Sequence, residues 1–142
     1  MPTNIECSLP DITVGDRDHS LIEWILEEIP QRERFPTAVM LDQELARARI
    51  IPASEVPASV VTLGSHFLYR EHETGIMRAG NLTIAGVLPG FACHGESSIS
   101  LLTLLGVALL GLCEGQLISL HAPEGRVCMV SVLKVLAQPR RR

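Results

Sequence analysis

The spacing of apolar residues changes between residues 52 and 59, and this change restricts the chain to a mixed fold. Upstream, apolar residues recur three and four positions apart, whereas downstream they tend to alternate. The segment between them holds Pro52, Ser54, Pro57 and Ser59, which is typical of a linker. We therefore expect an α+β protein with a helical unit over residues 1–52 and a sheet unit over residues 53–142.

The helical unit is expected to follow an irregular arm over residues 1–17. Ser20 and Glu23 have the spacing of a capping box, which predicts that a first helix begins at Ser20. Pro30 ends this helix near Glu28, because the residue before a proline is disfavoured in helical geometry.

A second helix is predicted after the polar connector 31–34. Thr37 is the expected N-cap and Pro52 the expected end. Two helices of about three turns joined by a short connector predict a short antiparallel helical hairpin.

The downstream half predicts four or five antiparallel strands around one short helix. Both faces of the last strand are apolar, so we expect it to be central or covered on both sides. The expected strands are 60–70, 76–88, 98–102, 116–121 and 126–136, and the expected helix is 104–110.

Composition argues against a membrane or secreted protein. The longest apolar run, residues 99–112, is interrupted by polar residues and glycines and is shorter than the roughly 18 residues that a span needs. The first residues lack a basic segment followed by an apolar one. We expect a cytoplasmic protein without a membrane contact.

Charge is unevenly distributed along the chain. Residues 1–57 hold 11 acids and 5 bases, and residues 58–142 hold 5 acids and 7 bases. A solvated acidic helix face explains this better than a charged partner. With Lys134 as the single lysine, direct nucleic-acid binding would rest on Arg140, Arg141 and Arg142 alone, so we expect nucleic acid to be contacted only indirectly.

No motif of an enzyme or metal site is found. The cysteines Cys7, Cys93, Cys113 and Cys128 are dispersed and form no CxxC pair. A metal site at Cys93 and His94 is disfavoured, and Ser97 and Ser98 near His94 lack an assured orienting acid. We predict no catalytic residue, no metal and no cofactor.

Side chains of the helical unit and the first strand have structural interpretations. Glu27, Glu28 and Glu33 cluster at the predicted hairpin tip, where we expect them to be solvent-exposed. Trp24 is expected to pack between the hairpin and the sheet unit rather than to form part of a partner surface, and His66 is expected to be half-buried on its strand rather than a catalytic base.

The order of motifs in the second half resembles a known family. Val60-Val-Thr-Leu-Gly-Ser65 is followed by the glycine-bounded apolar stretch 99–115, by Ala122-Pro-Glu-Gly125 and by Val135-Leu-Ala-Gln-Pro139. This order is similar to the C-terminal domain of the bacterial transcript-cleavage factors GreA and GreB. It resembles more closely the Rnk family, in which a shortened helical hairpin precedes the same domain. The resemblance covers about residues 37–139.

The resemblance implies a fold, a partner and a docking site. It implies an FKBP-like domain that docks on a coiled coil at the rim of the RNA polymerase secondary channel. In the full cleavage factors, a long coiled coil carries acidic residues to the active centre, where they help to hold the second magnesium ion. By the same resemblance, the polymerase-docking residues here are Thr103, Leu104, Leu105 and Gly106.

Helix length then limits what the hairpin can do. Helices of about 12 to 14 residues span roughly 18–21 Å, so we expect Glu27, Glu28 and Glu33 not to reach a polymerase metal. We predict an RNA polymerase-binding regulator of transcription elongation without transcript-cleavage stimulation. The alternatives are an FKBP-like peptidyl-prolyl isomerase and a protein-interaction module that no longer binds polymerase.

The chain departs from the family pattern at three places. Leu104 stands where proline is usual, and Gln116 stands where aspartate is usual. Phe91, Cys93 and His94 occupy a loop that commonly carries aspartates. Because these changes replace charge with apolar surface, we expect self-association, at least to a dimer.

Overall fold

The computed structural model describes residues 11–84, 98–121 and 125–139. The helices in this part of the chain are α1 (Asp16–Glu28), α2 (Pro36–Arg47) and α3 (Leu104–Leu109). The strands are β1 (Thr13–Gly15), β2 (Arg49–Ile51), β3 (His66–Glu71), β4 (Ile76–Thr83), β5 (Ser98–Ser100), β6 (Leu117–His121) and β7 (Val127–Ala137). Short 3₁₀ turns at Arg32–Arg34 and Ala53–Glu55 complete the described elements. The predicted α+β class is confirmed.

The strands form two sheets. β1 and β2 pair in parallel, and the curled main sheet has the order β5-β4-β3-β7-β6. The pairs β3–β4, β3–β7 and β6–β7 are antiparallel as expected, but β5 runs parallel to β4. The wholly antiparallel sheet of the sequence analysis was therefore wrong at this edge. None of the helices among the described residues is long and apolar enough to cross a membrane.

The first helix begins earlier than the sequence predicted. α1 starts at Asp16, directly after β1, and Ser20 lies inside the helix, so the predicted capping box was wrong. Asp16 and Asp18 in the first turn favour this start, because carboxylates stabilise the positive end of the helix dipole. The predicted end at Glu28 is confirmed.

The second helix also differs at both ends. Phe35 is the N-cap and Pro36 the first helical residue, where a missing N–H has no consequence, so the Thr37 cap was wrong. The helix ends at Arg47 and not at Pro52, because the chain turns into β2, whose Arg49 N–H donates to the Ile12 carbonyl at 2.9 Å.

Strand β3 is shorter than predicted. Residues 60–65 form an isolated bridge and a turn, in which the Ser65 N–H donates to the Thr62 carbonyl at 3.0 Å. β4 is described as far as Thr83, and the remainder of the predicted strand lies outside the described residues. A Cβ at Gly80 would lie 2.6 Å from Ile99 Cδ1, so the glycine allows Ile99 to pack closely against β4.

The last strand is central but not covered on both sides. β7 lies between β3 and β6, and Val130, Val132 and Val135 are buried. Leu133 and Leu136 are exposed. Neither has a paired residue on β3, because the register between the two strands shifts by one residue at each of these positions. These bulges turn two apolar residues away from the core, and the prediction of a strand that is central or covered is confirmed by the central position of β7.

One hydrophobic core extends across the predicted boundary at residue 52. Ile22 and Leu26 of α1 and Leu41 of α2 belong to the same buried cluster as Phe67 and Leu109. The two-unit division stays a prediction, and the packing joins both parts in one core.

Candidate functional site

The four residues for which the resemblance implies docking lie at the end of the loop before α3 and in the first turn of α3, and Thr103 organises this region. The Thr103 hydroxyl donates to the Ser100 carbonyl at 2.7 Å and accepts from the Gly106 N–H at 3.0 Å. The Thr103 N–H donates to the same carbonyl at 3.1 Å. Thr103 is thus the N-cap of α3 and also closes the turn that leaves β5.

Gly106 allows α3 to lie directly against this turn. A Cβ at position 106 would be 2.1 Å from the Ser100 carbonyl oxygen and 3.1 Å from Leu101 Cα. Both obstacles are backbone, so no side-chain rotation relieves them. The glycine is therefore required by the packing of the helix on the loop.

The four residues are close in space but not equally accessible. Thr103 is exposed, Leu104 and Leu105 are partly buried, and Gly106 is buried. Leu105 packs against the core cluster. A partner at this loop would therefore contact Thr103 and Leu104, while Leu105 and Gly106 support them from inside.

The acidic residues lie at the far end of α1. Glu27 and Glu28 occupy its last turn, Glu33 lies in the following 3₁₀ turn, and all three are exposed as expected. None of them forms an ion pair with another described residue. α1 has 13 residues and α2 has 12, so their lengths are about 20 and 18 Å at 1.5 Å per residue.

Two aspartates that the sequence analysis did not single out fasten the start of α1 to the rest of the molecule. Asp16 Oδ1 accepts from the Ala53 N–H at 2.9 Å, and the buried Asp18 accepts from the Leu63 N–H at 3.2 Å. Two acids in a first helical turn were a visible signal, but their partners lie 37 and 45 residues away.

A buried pair of hydroxyls explains part of the Val60–Ser65 motif. Ser65 Oγ accepts from the Thr62 N–H at 2.8 Å and lies 2.7 Å from Thr62 Oγ1. Both residues are buried, and the turn they close presents the Leu63 N–H to Asp18. The motif therefore connects the sheet to α1.

Two other predicted side-chain positions were wrong. Trp24 is 49% exposed and is not packed between the helices and the sheet. His66 is exposed on β3, because it lies on the face of the strand opposite the core residue Phe67.

The described cysteines are free thiols in different surroundings. Cys113 lies 3.7 Å from Ser59 Oγ, and Cys128 donates to Glu73 Oε1 at 3.2 Å. The bond to Glu73 and the negative charge of that carboxylate raise the pKa of Cys128 above its usual value.

Within residues 11–84, 98–121 and 125–139, no group of three acids, histidines or cysteines is arranged to hold a metal. Cys93, His94 and Ser97 lie outside the described residues.

Comparison with known proteins places the chain in a family. Residues 10–51 match the family model of the Rnk N-terminus. The regulator of nucleoside diphosphate kinase of Escherichia coli K12 is 33% identical over 132 residues, which are 93% of this chain and 93% of that protein. The protein of the same name from Shigella flexneri gives the same values. The chain belongs to the Rnk family.

The fold of this Rnk-family protein is shared with a solved transcription factor. A prokaryotic transcription elongation factor GreA/GreB from Nitrosomonas europaea matches with a TM-score of 0.66 and 31% identity. The match covers 89% of this chain and 98% of the other. The resemblance seen in the motifs of the second half therefore extends over nearly the whole Rnk-family chain.

Proposed function

We propose that this protein regulates transcription elongation by binding RNA polymerase through the N-terminal end of α3 and the loop before it, without stimulating transcript cleavage. The observation that carries the proposal is the match over 89% of the chain to a solved GreA/GreB elongation factor, together with membership in the Rnk family. We further propose that the main sheet and α3 act as an FKBP-like docking domain at the secondary-channel rim. The protein would then act in the cytoplasm, where it meets polymerase.

The docking face would consist of Thr103 and Leu104. Thr103 is held by hydrogen bonds to Ser100 and Gly106, so a partner meets a fixed surface and binding requires little ordering of the loop. Leu104 adds apolar area at the start of α3.

We expect no cleavage stimulation because α1 and α2 are too short to carry their acidic residues to the catalytic ions of the polymerase. In this proposal α1 and α2 form a short hairpin with Glu27, Glu28 and Glu33 at its tip. Helices of about 20 and 18 Å would leave these carboxylates at the channel mouth, away from the catalytic ions. The protein would occupy the mouth and compete with longer cleavage factors.

A pull-down with core RNA polymerase tests the docking face. Leu104→Glu removes the apolar contact, and an acid at the first position of α3 suits the helix dipole, so the fold is expected to persist. Leu136→Glu is the matched control, because Leu136 is an exposed leucine on β7. We expect wild type and Leu136→Glu to bind, and Leu104→Glu to bind at least roughly tenfold more weakly.

Two results would overturn parts of the proposal. If wild type fails to capture polymerase, the protein is an interaction module with another partner. If it stimulates RNA cleavage in stalled complexes, and Glu27→Gln, Glu28→Gln and Glu33→Gln together abolish this, the reach argument is wrong.

A prolyl-peptide assay tests the isomerase alternative. Such enzymes bind proline in a pocket lined by aromatic rings, but the aromatic residues described in the sheet unit, Phe67 and Tyr69, are 0% and 6% exposed, while Phe91 lies outside the described residues. We expect no acceleration of isomerisation.

A further inference from the structure

The edge strand β6 lacks the usual protection against pairing with another strand. β6 is the last strand of the main sheet and has five residues, Leu-Ile-Ser-Leu-His. It contains no proline, no lysine and no acid, and its register with β7 is regular from Leu117 to His121. Natural sheets commonly protect such edges with charges, prolines, bulges or short strands.

The other edge of the main sheet is protected. β5 has three residues, which is too short to serve as a template for a long pairing. Beside it, the outer half of β4 carries Arg78, whose guanidinium Nε lies 3.1 Å from Glu71 Oε2. β6 is therefore the described edge of the main sheet best suited to accept a strand.

The pattern of hydrogen bonds between β6 and β7 shows which backbone groups of β6 face away from β7. The Val132 N–H donates to the Gln116 carbonyl at 3.1 Å, so the residues of β6 that bond to β7 are the alternate ones, Ile118 and Leu120. On the far side of β7, Met129 accepts from the His72 N–H at 2.9 Å, so its carbonyl points away from β6. The N–H and C=O groups of Leu117, Ser119 and His121 therefore point away from β7, to the side of β6 on which no other described strand pairs.

We propose that a second copy of this chain pairs with β6 in antiparallel orientation about a two-fold axis at Ser119. This arrangement gives both copies the same register, as an isologous contact requires. Ser119 would exchange two backbone hydrogen bonds with its counterpart, and Leu117 would do the same with His121 of the second copy.

The side chains are self-complementary in this register. On the core side, Ile118 meets Leu120 of the second copy, which covers the partly buried Leu120. On the outer side, the 43% exposed Leu117 lies beside His121, and no acid or base faces one of like charge. A strand of five residues is about 17 Å long, so the contact is small and the dimer forms reversibly with concentration.

Sedimentation velocity of the full chain over a range of concentrations tests the proposal. We expect a shift from monomer to dimer as concentration rises. Leu117→Lys places a charge beside the pairing edge and is expected to weaken the dimer roughly tenfold or more. Leu136→Lys is the control with the same chemical change on an exposed leucine of β7, and its dimer constant is expected to match wild type.

A second variant tests the backbone pairing itself. Ser119→Pro removes the outward N–H at the two-fold axis, which β7 does not use, and its far-UV circular dichroism checks that the sheet is retained. We expect it to be monomeric. The proposal is overturned if wild type stays monomeric at every concentration, or if a dimer survives both Leu117→Lys and folded Ser119→Pro.

Discussion

Gly106 has a steric role that does not depend on unusual backbone angles. Gly106→Ala would place its Cβ 2.1 Å from the Ser100 carbonyl oxygen, so α3 must move away from the loop. Overpacking against fixed atoms costs about 1–3 kcal/mol and occasionally more, and we expect a loss of about 3 kcal/mol in the free energy of unfolding. Urea denaturation measures this loss.

Gly75→Ala is the control for that experiment. Gly75 has a φ of +72°, and a Cβ added there would meet nothing within 4 Å, so the cost is conformational only, about 1–2 kcal/mol. If Gly106→Ala proves no more costly than Gly75→Ala, the close contact at Ser100 is not what holds α3 in place.

Cys128 is predicted to react slowly as a nucleophile. Its hydrogen bond to Glu73 stabilises the thiol form, and the carboxylate charge opposes the thiolate, so its pKa is raised. Reaction with a disulfide reagent should therefore reach half its maximal rate at a higher pH than for an ordinary thiol. Glu73→Gln should move this midpoint to lower pH.

That measurement requires Cys128 to be the single thiol. Replacing Cys7, Cys93 and Cys113 by serine provides this background, and Glu71→Gln within it serves as a second carboxylate control. Since Glu71 acts on Cys128 only through its charge, its effect should be smaller than that of Glu73→Gln. Equal midpoints for Glu73→Gln and the parent would contradict the proposed role of the hydrogen bond.

The start of α3 is predicted to accept proline. Leu104 is the first helical residue, where the backbone N–H has no helical partner, and Thr103 before it is extended with φ −94° and ψ 161°. Leu104→Pro should therefore change the free energy of unfolding by less than about 1 kcal/mol. Leu105→Pro, one position later with a side chain packed on the core, should cost considerably more.

α3 and the two strands that follow it are the elements that the sequence predicts best. The helix over residues 104–110 and the strands β6 and β7 were predicted to within about two residues, because local signals define them. Gly111, with φ +82°, ends the helix, and Gly125 precedes β7. The N-cap Thr103 and the close-packed Gly106 were selected through the family resemblance, and their hydrogen bonds and contacts required coordinates.

Elements fixed by distant contacts were missed. β1 and β2 have three residues each, and β1 is held by the bond from the Thr13 N–H to the Gly111 carbonyl at 3.1 Å. No sequence pattern near Thr13 predicts that its N–H bonds to Gly111, which lies almost 100 residues later in the chain. The parallel direction of β5 was likewise missed, because the periodicity of apolar residues carries no information on strand direction.

The shared core predicts that the two sequence halves unfold together. Leu41 of α2 is 0% exposed and belongs to the cluster that also holds Phe67 and Leu109. Leu41→Ala should lower the free energy of unfolding by about 2–5 kcal/mol, because it removes buried volume from that cluster. Val39→Ala, at a 37% exposed position of the same helix, should cost less than about 1 kcal/mol.

The chain carries a separate optical probe for each half. Its single tryptophan, Trp24, lies on α1, and its single tyrosine, Tyr69, lies on β3. Trp24 fluorescence and, in a Trp24→Phe background, the near-ultraviolet circular dichroism of Tyr69 should give coincident denaturation curves, as two-state unfolding requires. In Leu41→Ala both curves should shift by the same amount.

A tryptophan transition that moves to lower denaturant while the tyrosine transition stays in place would show that the helices unfold independently. The boundary at residue 52 would then separate two cooperative units, and the bonds from Asp16 and Asp18 to Ala53 and Leu63 would connect those units without coupling their stability.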